Sequence, residues 1–120
     1  MIHRDIFRVI GLFDETLPAC EDYDLWLRIC AVYPVLYVDQ PLIEKVGGHA
    51  DQLSRCYWGM DRFRIRAIVK ILDDGYLSEA DRAAAVATLK EKIRIFSQGA
   101  VKRRHAGHIT EFIKMADEYY

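Results

Sequence analysis

From residue 52 to residue 120 the chain contains no proline, and that absence constrains the fold more than any other feature. Proline removes a backbone donor and clashes with the preceding turn, so a long proline-free stretch rich in helix formers lets helices run. The breaks within it are short: Asp73-Asp74-Gly75, Gly99 and Gly107. Three helices are predicted. The first spans about 52–72 and buries Ile65, Ile68, Val69 and Leu72. The second follows Ser78, which with Asp81 makes a variant capping box, and carries the stripe Val86, Leu89, Ile93, Phe96, Ala100. The third spans about 108–118 with Ile109, Phe112, Ile113 and Ala116 inward. Helices joined by such short turns pack as antiparallel neighbours.

The first half reads differently. Met1–Arg4 is a short strand candidate, Asp5–Ile10 a turn of helix, and Gly11-Leu12-Phe13-Asp14-Glu15 a turn that Phe13 anchors. A helix is expected from Glu21 to about Val32, with Leu25, Trp26, Ile29 and Tyr33 on its apolar face. Glu21, Asp22 and Asp24 crowd its first turn, where the helix dipole favours negative charge. Val35–Asp39 is β-branched and aromatic and reads as a strand. Leu42–Val46 follows Pro41 as an edge segment, and Gly47-Gly48 is a turn. The expected fold class is α+β, mostly helical, with a few short strands capped by about three antiparallel helices. The expected division places a first unit at 1–51 and a helical extension at 52–120.

Charge and cysteine usage narrow the function classes. A net charge of −1 gives no field that would hold nucleic acid. No apolar run is long enough for a transmembrane segment, and the first residues carry no cleavable leader. Cys20, Cys30 and Cys56 are odd in number and widely spaced, which suits reduced thiols in a cytoplasmic protein better than a disulfide framework or a zinc knuckle.

The candidate chemistry lies in Cys20-Glu21-Asp22-Tyr23-Asp24-Leu25-Trp26-Leu27-Arg28. Asp22 stands three and four residues before Leu25 and Trp26, so it is expected on the same side as the buried stripe. There it is a candidate general base. The bland alternative is that all three acids only complement the dipole. Asp24 and Arg28, four apart, are expected to form an exposed ion pair. The basic run Lys102-Arg103-Arg104-His105 reads as a solvated helix end.

The run RDIFRVIGLFDETLPACEDYDLWLRI resembles the acceptor-site region of family 2 glycosyltransferases, in which a Gly-x-Phe-Asp-Glu turn precedes a Glu-Asp-x-Asp-x-Trp-x-Arg helix. The next residues, YPVLYVDQPLIEKVGGHADQLSR, are similar to the strand and loop that follow there. The resemblance implies a GT-A fold and inverting transfer from a nucleotide sugar to a hydroxyl acceptor. Asp22 would be the base and Glu21 its helper. Trp26 and Arg28 would be packing and ion-pairing residues at the substrate site. His49 would sit on a loop that can close over the diphosphate or metal, the alternative being a polar loop histidine ahead of a helix cap. A divalent metal, Mg²⁺ or Mn²⁺, is implied for the full-length enzyme, which can be membrane-associated, but none is expected in this chain. Asp22-Tyr23-Asp24 has the letters of an Asp-x-Asp motif, yet on a helix its two side chains diverge by about 200°. The nucleotide-binding half is missing from the resemblance, so the chain reads as an acceptor-side fragment, inactive alone, with a homodimer covering the surface left open. The competing expectation is a non-catalytic helical interaction module built on the same scaffold.

Overall fold

A computed structural model describes residues 1–44, 46 and 56–119. Five α-helices are described: α1 (Ile6–Ile10), α2 (Glu21–Val32), α3 (Asp61–Asp73), α4 (Glu79–Lys102) and α5 (Ile109–Asp117). A single 3-10 turn, Ala106–His108, leads into α5.

The core lies where α3, α4 and α5 meet. Ile65, Ile68 and Leu72 of α3 pack with Leu89, Ile93, Phe96 and Ala100 of α4 and with Phe112 and Ala116 of α5. These are the stripes that helical periodicity requires, with four departures. Val69, Val86 and Ile109 are only partly buried, and Ile113 is exposed on the outer face of α5. Phe96 and Phe112 meet edge to face at 4.9 Å between ring centres, an arrangement their quadrupoles favour. A second, smaller cluster of Leu17, Ala19, Cys20 and Phe63 joins the start of α2 to α3.

Local signals set the helix ends. Ser78 caps α4: its Oγ accepts the Asp81 backbone N–H at 3.2 Å and donates to Asp81 Oδ2 at 2.6 Å. Gly99 does not break α4, which runs on to Lys102 and is closed by Arg104 at φ 61°. The helix expected over 52–72 is shorter at its described end. Gly59, at φ 61°, breaks the chain before α3 begins at Asp61, and residues 52–55 lie outside the described residues.

The expected strands do not form: none of the described residues is in a strand, so the α+β class and the GT-A fragment give way to a helical fold. Met1–Arg4 and the described part of 35–46 carry no ladder. The physical reason is that a strand is a pairing, and β-propensity needs a neighbouring strand to act on. The side chains of Val35 to Val38 are 56–90% exposed.

Candidate functional site

The site is built on α2. Its bounds match the sequence expectation, and its buried face matches in part. Asp24, Leu25 and Ile29 are buried, with Arg28 13% exposed beside them, whereas Trp26 is 45% exposed. The buried face thus keeps Leu25 and Ile29 of the expected stripe but is turned toward Asp24 and Arg28 and away from Trp26. Asp22 consequently faces solvent rather than the core side. Its Oδ1 accepts the Tyr23 backbone N–H at 2.7 Å. Asp22 and Trp26, four residues apart, share the open face of α2, with Glu21 half-buried beside them.

Asp24 is the acid that points inward, at 1% exposure. Its Oδ2 lies 2.9 Å from Arg28 Nε and 2.8 Å from Nη2, and its Oδ1 lies 3.1 Å from Lys70 Nζ. The expected exposed pair is therefore a buried, two-cation arrangement. Arg28 also donates from Nη1 to the Ile10 carbonyl at 2.6 Å and from Nη2 to the Leu12 carbonyl at 2.8 Å. The guanidinium fork thus fastens the end of α1 and the Gly11–Glu15 turn to α2, a geometry that suits arginine's rigid donor set. Gly11 sits at φ 85° in that turn, and a side chain there would come within 3.7 Å of Arg28 Nη1.

Lys70 completes the cluster from α3. Its Nζ reaches Asp14 Oδ2 at 2.6 Å, and Asp14 Oδ1 in turn accepts from Thr16 N at 3.0 Å and Thr16 Oγ1 at 2.6 Å. The Lys70 hydrogen bond and then those from Thr16 hold the Asp14 carboxyl down at about 2. Burial works against the charged form of Lys70, but Asp14 and Asp24 outweigh it and its pKa is raised. Periodicity missed Lys70 as a member of this site because it lies far along the chain from Asp14 and Asp24. Cys20, buried at the start of α2 with φ 62°, has its thiol pKa pushed up by burial and is no activated nucleophile.

The sequence candidates therefore separate. Asp22, Glu21 and Trp26 stay together on the outer face of α2, while Arg28 is turned inward and engaged there. His49 lies outside the described residues. Among the described residues no group of three or more His, Cys, Asp or Glu side chains is placed to hold a metal ion. Asp24, held by Lys70 and Arg28, is not available to pair with Asp22 around a cation, so the residues described do not fit a divalent metal. No described helix is long and apolar enough to cross a membrane.

Three proteins, each named an uncharacterized glycosyltransferase, are similar to part of this chain. The one from Rickettsia felis is 38% identical over 55 residues, covering 46% of this chain and 9% of the relative. The one from Rickettsia conorii is 39% identical over 49 residues, 41% of this chain and 8% of the relative. The one from Rickettsia bellii is 41% identical over 49 residues, 41% of this chain and 7% of the relative. The matched segment thus spans less than a tenth of each relative's length. These partial matches support a glycosyltransferase relationship for this chain. No family model matches the chain, and no solved structure matches it.

Proposed function

We propose that this chain supplies the acceptor side of a family 2 glycosyltransferase, with Asp22 as general base. The observation that carries the reading is the outward-facing pair of Asp22 and Trp26 on α2, in a chain related to proteins named glycosyltransferases. A carboxylate one helical turn from an exposed indole offers a base for a hydroxyl and a flat apolar face for a pyranose ring. In the reaction, Asp22 takes the acceptor hydroxyl proton as that oxygen bonds to the anomeric carbon. The bond from that carbon to the nucleoside diphosphate breaks with inversion, and the diphosphate leaves with its electron pair. Glu21 orients the acceptor. Arg28, Asp24 and Lys70 act through position, by fixing α2 against the Gly11–Glu15 turn. The donor site and any divalent metal are assigned to polypeptide beyond these residues, consistent with the much greater length of the relatives.

The test is transfer of radiolabel from UDP-, GDP- and dTDP-sugars into host glycan, using the protein isolated with whatever chains accompany it. Transfer that is lost in Asp22→Asn, with the helical circular dichroism unchanged, supports the reading. Transfer by Asp22→Asn at the wild-type rate removes the base assignment.

A second reading is an interaction module, acting as a homodimer or on another protein. It is favoured by the exposed apolar side chains that run from Val32 through Ile43, with Leu36 at 90% and Ile43 at 87% exposure. Contiguous apolar surface of this kind marks association sites. Absence of any transfer by the wild-type preparation would favour this reading over the enzyme.

A further inference from the structure

We propose that the cleft between the 58–61 segment, the start of α3 and the end of α4 binds a phosphate-bearing small molecule through Arg64 and Arg103. The cleft has a volume of about 240 Å³ and takes one guanidinium from each of the two helices. That volume is enough for a phosphate or diphosphate group and short of the 300 Å³ or more of a drug-sized ligand.

Among the described residues, charge in the cleft is unbalanced. Its one lining acid, Asp61, is already engaged by Arg64 at 2.8 Å and by Lys92 at 3.2 Å. Arg103 has no carboxylate partner among the described residues. Among those residues its side chain makes one hydrogen bond, from Nη1 to the Gly99 carbonyl at 3.3 Å. Gly99 is what lets it lie there, because a Cβ at that position would stand 2.9 Å from Arg103 Nη1. The rest of the Arg103 fork has no acceptor among the described residues, which leaves it open to a ligand, and planar forks match phosphate oxygens two at a time.

The opposite wall is fixed. Trp58 is stacked on Phe96 at 5.9 Å and on His105 at 4.3 Å, so it holds its place without a ligand. Gly59 keeps the rim open, since a side chain there would press to 3.1 Å from the Phe96 ring. The basic run at the end of α4 is thereby divided. Arg103 turns into the cleft, and Arg104 closes the helix.

The inference stands apart from the transferase reading, and its test needs no activity. The whole chain is titrated with pyrophosphate at constant ionic strength, following the Trp58 indole and arginine Nε signals by ¹H–¹⁵N NMR. Saturable shifts of both are expected. Loss of one charge-assisted bond should weaken binding at least about fivefold in Arg103→Gln, and Gly99→Ala should weaken it too. Arg94→Gln serves as the control, because Arg94 is paired with Glu91 on α4 and does not line the cleft. Linear shifts without saturation, or equal binding by Arg103→Gln and Arg94→Gln, would overturn the proposal.

Discussion

Lys70 Nζ lies 3.1 Å from Asp24 Oδ1, joining α3 to the most deeply buried charge of α2. The same ammonium reaches Asp14 at 2.6 Å, so one side chain connects the long helical half to both candidate-site elements. Two carboxylates and two cations in this arrangement satisfy one another, which is what allows Asp24 to be buried at all.

Removing Lys70 leaves Asp24 with Arg28 alone and Asp14 without its cation. Breaking a fully buried pair costs about 3–5 kcal/mol. Lys70 is itself 39% exposed, and solvent screens its part, so a loss of about 2 kcal/mol is expected for Lys70→Met. Urea unfolding followed by circular dichroism measures it, and a loss below about 0.5 kcal/mol would show the contact is not formed in solution.

The two acids of α2 should behave oppositely. Asp22 is exposed, so Asp22→Asn is expected to change stability by less than about 0.5 kcal/mol. Asp24→Asn replaces a buried carboxylate that faces two cations, and about 2–4 kcal/mol should be lost. Thermal midpoints of the two variants side by side decide whether the buried face is the one described. Equal losses would return Asp22 to the buried side.

Asp14 gives the network an acid limit. Its folded pKa, about 2, is below its ordinary 3.8. A depressed carboxyl contributes stability fully above its unfolded pKa, and that contribution is lost as pH falls through the folded value. The urea midpoint should therefore hold steady above about pH 4 and decline between about pH 4 and pH 2. Asp14→Asn should lower the midpoint at neutral pH and flatten that decline. An unchanged acid slope in Asp14→Asn would place the titration on another group.

What the sequence disclosed and what it withheld divide along range. The ends of α2, the Ser78 cap and the Leu89–Ile93–Phe96–Ala100 stripe depend on neighbours within a turn or two, and each was legible. The inward turn of Asp24 was not, because it depends on Lys70 reaching from a separate helix. A clue was present in the i, i+4 pairing of Asp24 with Arg28. An acid and a base adjoining Leu25 and Ile29 can neutralise each other on a buried face, but counting Trp26 and Tyr33 with Leu25 and Ile29 on the apolar face hid it. The strand expectation at Val35–Asp39 failed for the same kind of reason. Periodicity and β-branching describe a side chain's preference for a sheet, and no described residue supplies the partner edge.

Arg104 should be improvable. It holds φ 61° just beyond the end of α4, where the His105 N–H bonds back to the Ala100 carbonyl at 2.9 Å. A side chain in the left-handed region is strained, and glycine is not. Arg104→Gly is expected to stabilise the fold by about 0.5–1 kcal/mol, seen as a higher thermal midpoint. A lower midpoint would mean that the exposed Arg104 side chain makes a contact worth more than the strain.

The exposed segment offers the sharpest separation of stability from association. Leu36 and Ile43 contact neither described core cluster, so replacing both by serine should change the unfolding free energy by less than about 0.5 kcal/mol. If the chain associates through this surface, the same double variant should lower the sedimentation-velocity mass at high concentration toward that of one chain. The helical core anchored on Phe96 and Phe112 lies elsewhere, so association can be lost without unfolding. A wild-type chain that sediments as a single copy at every concentration would remove the homodimer and leave this surface to a different polypeptide. A double variant that both unfolds and dissociates would instead show that residues 35–43 belong to the fold, contrary to their exposure.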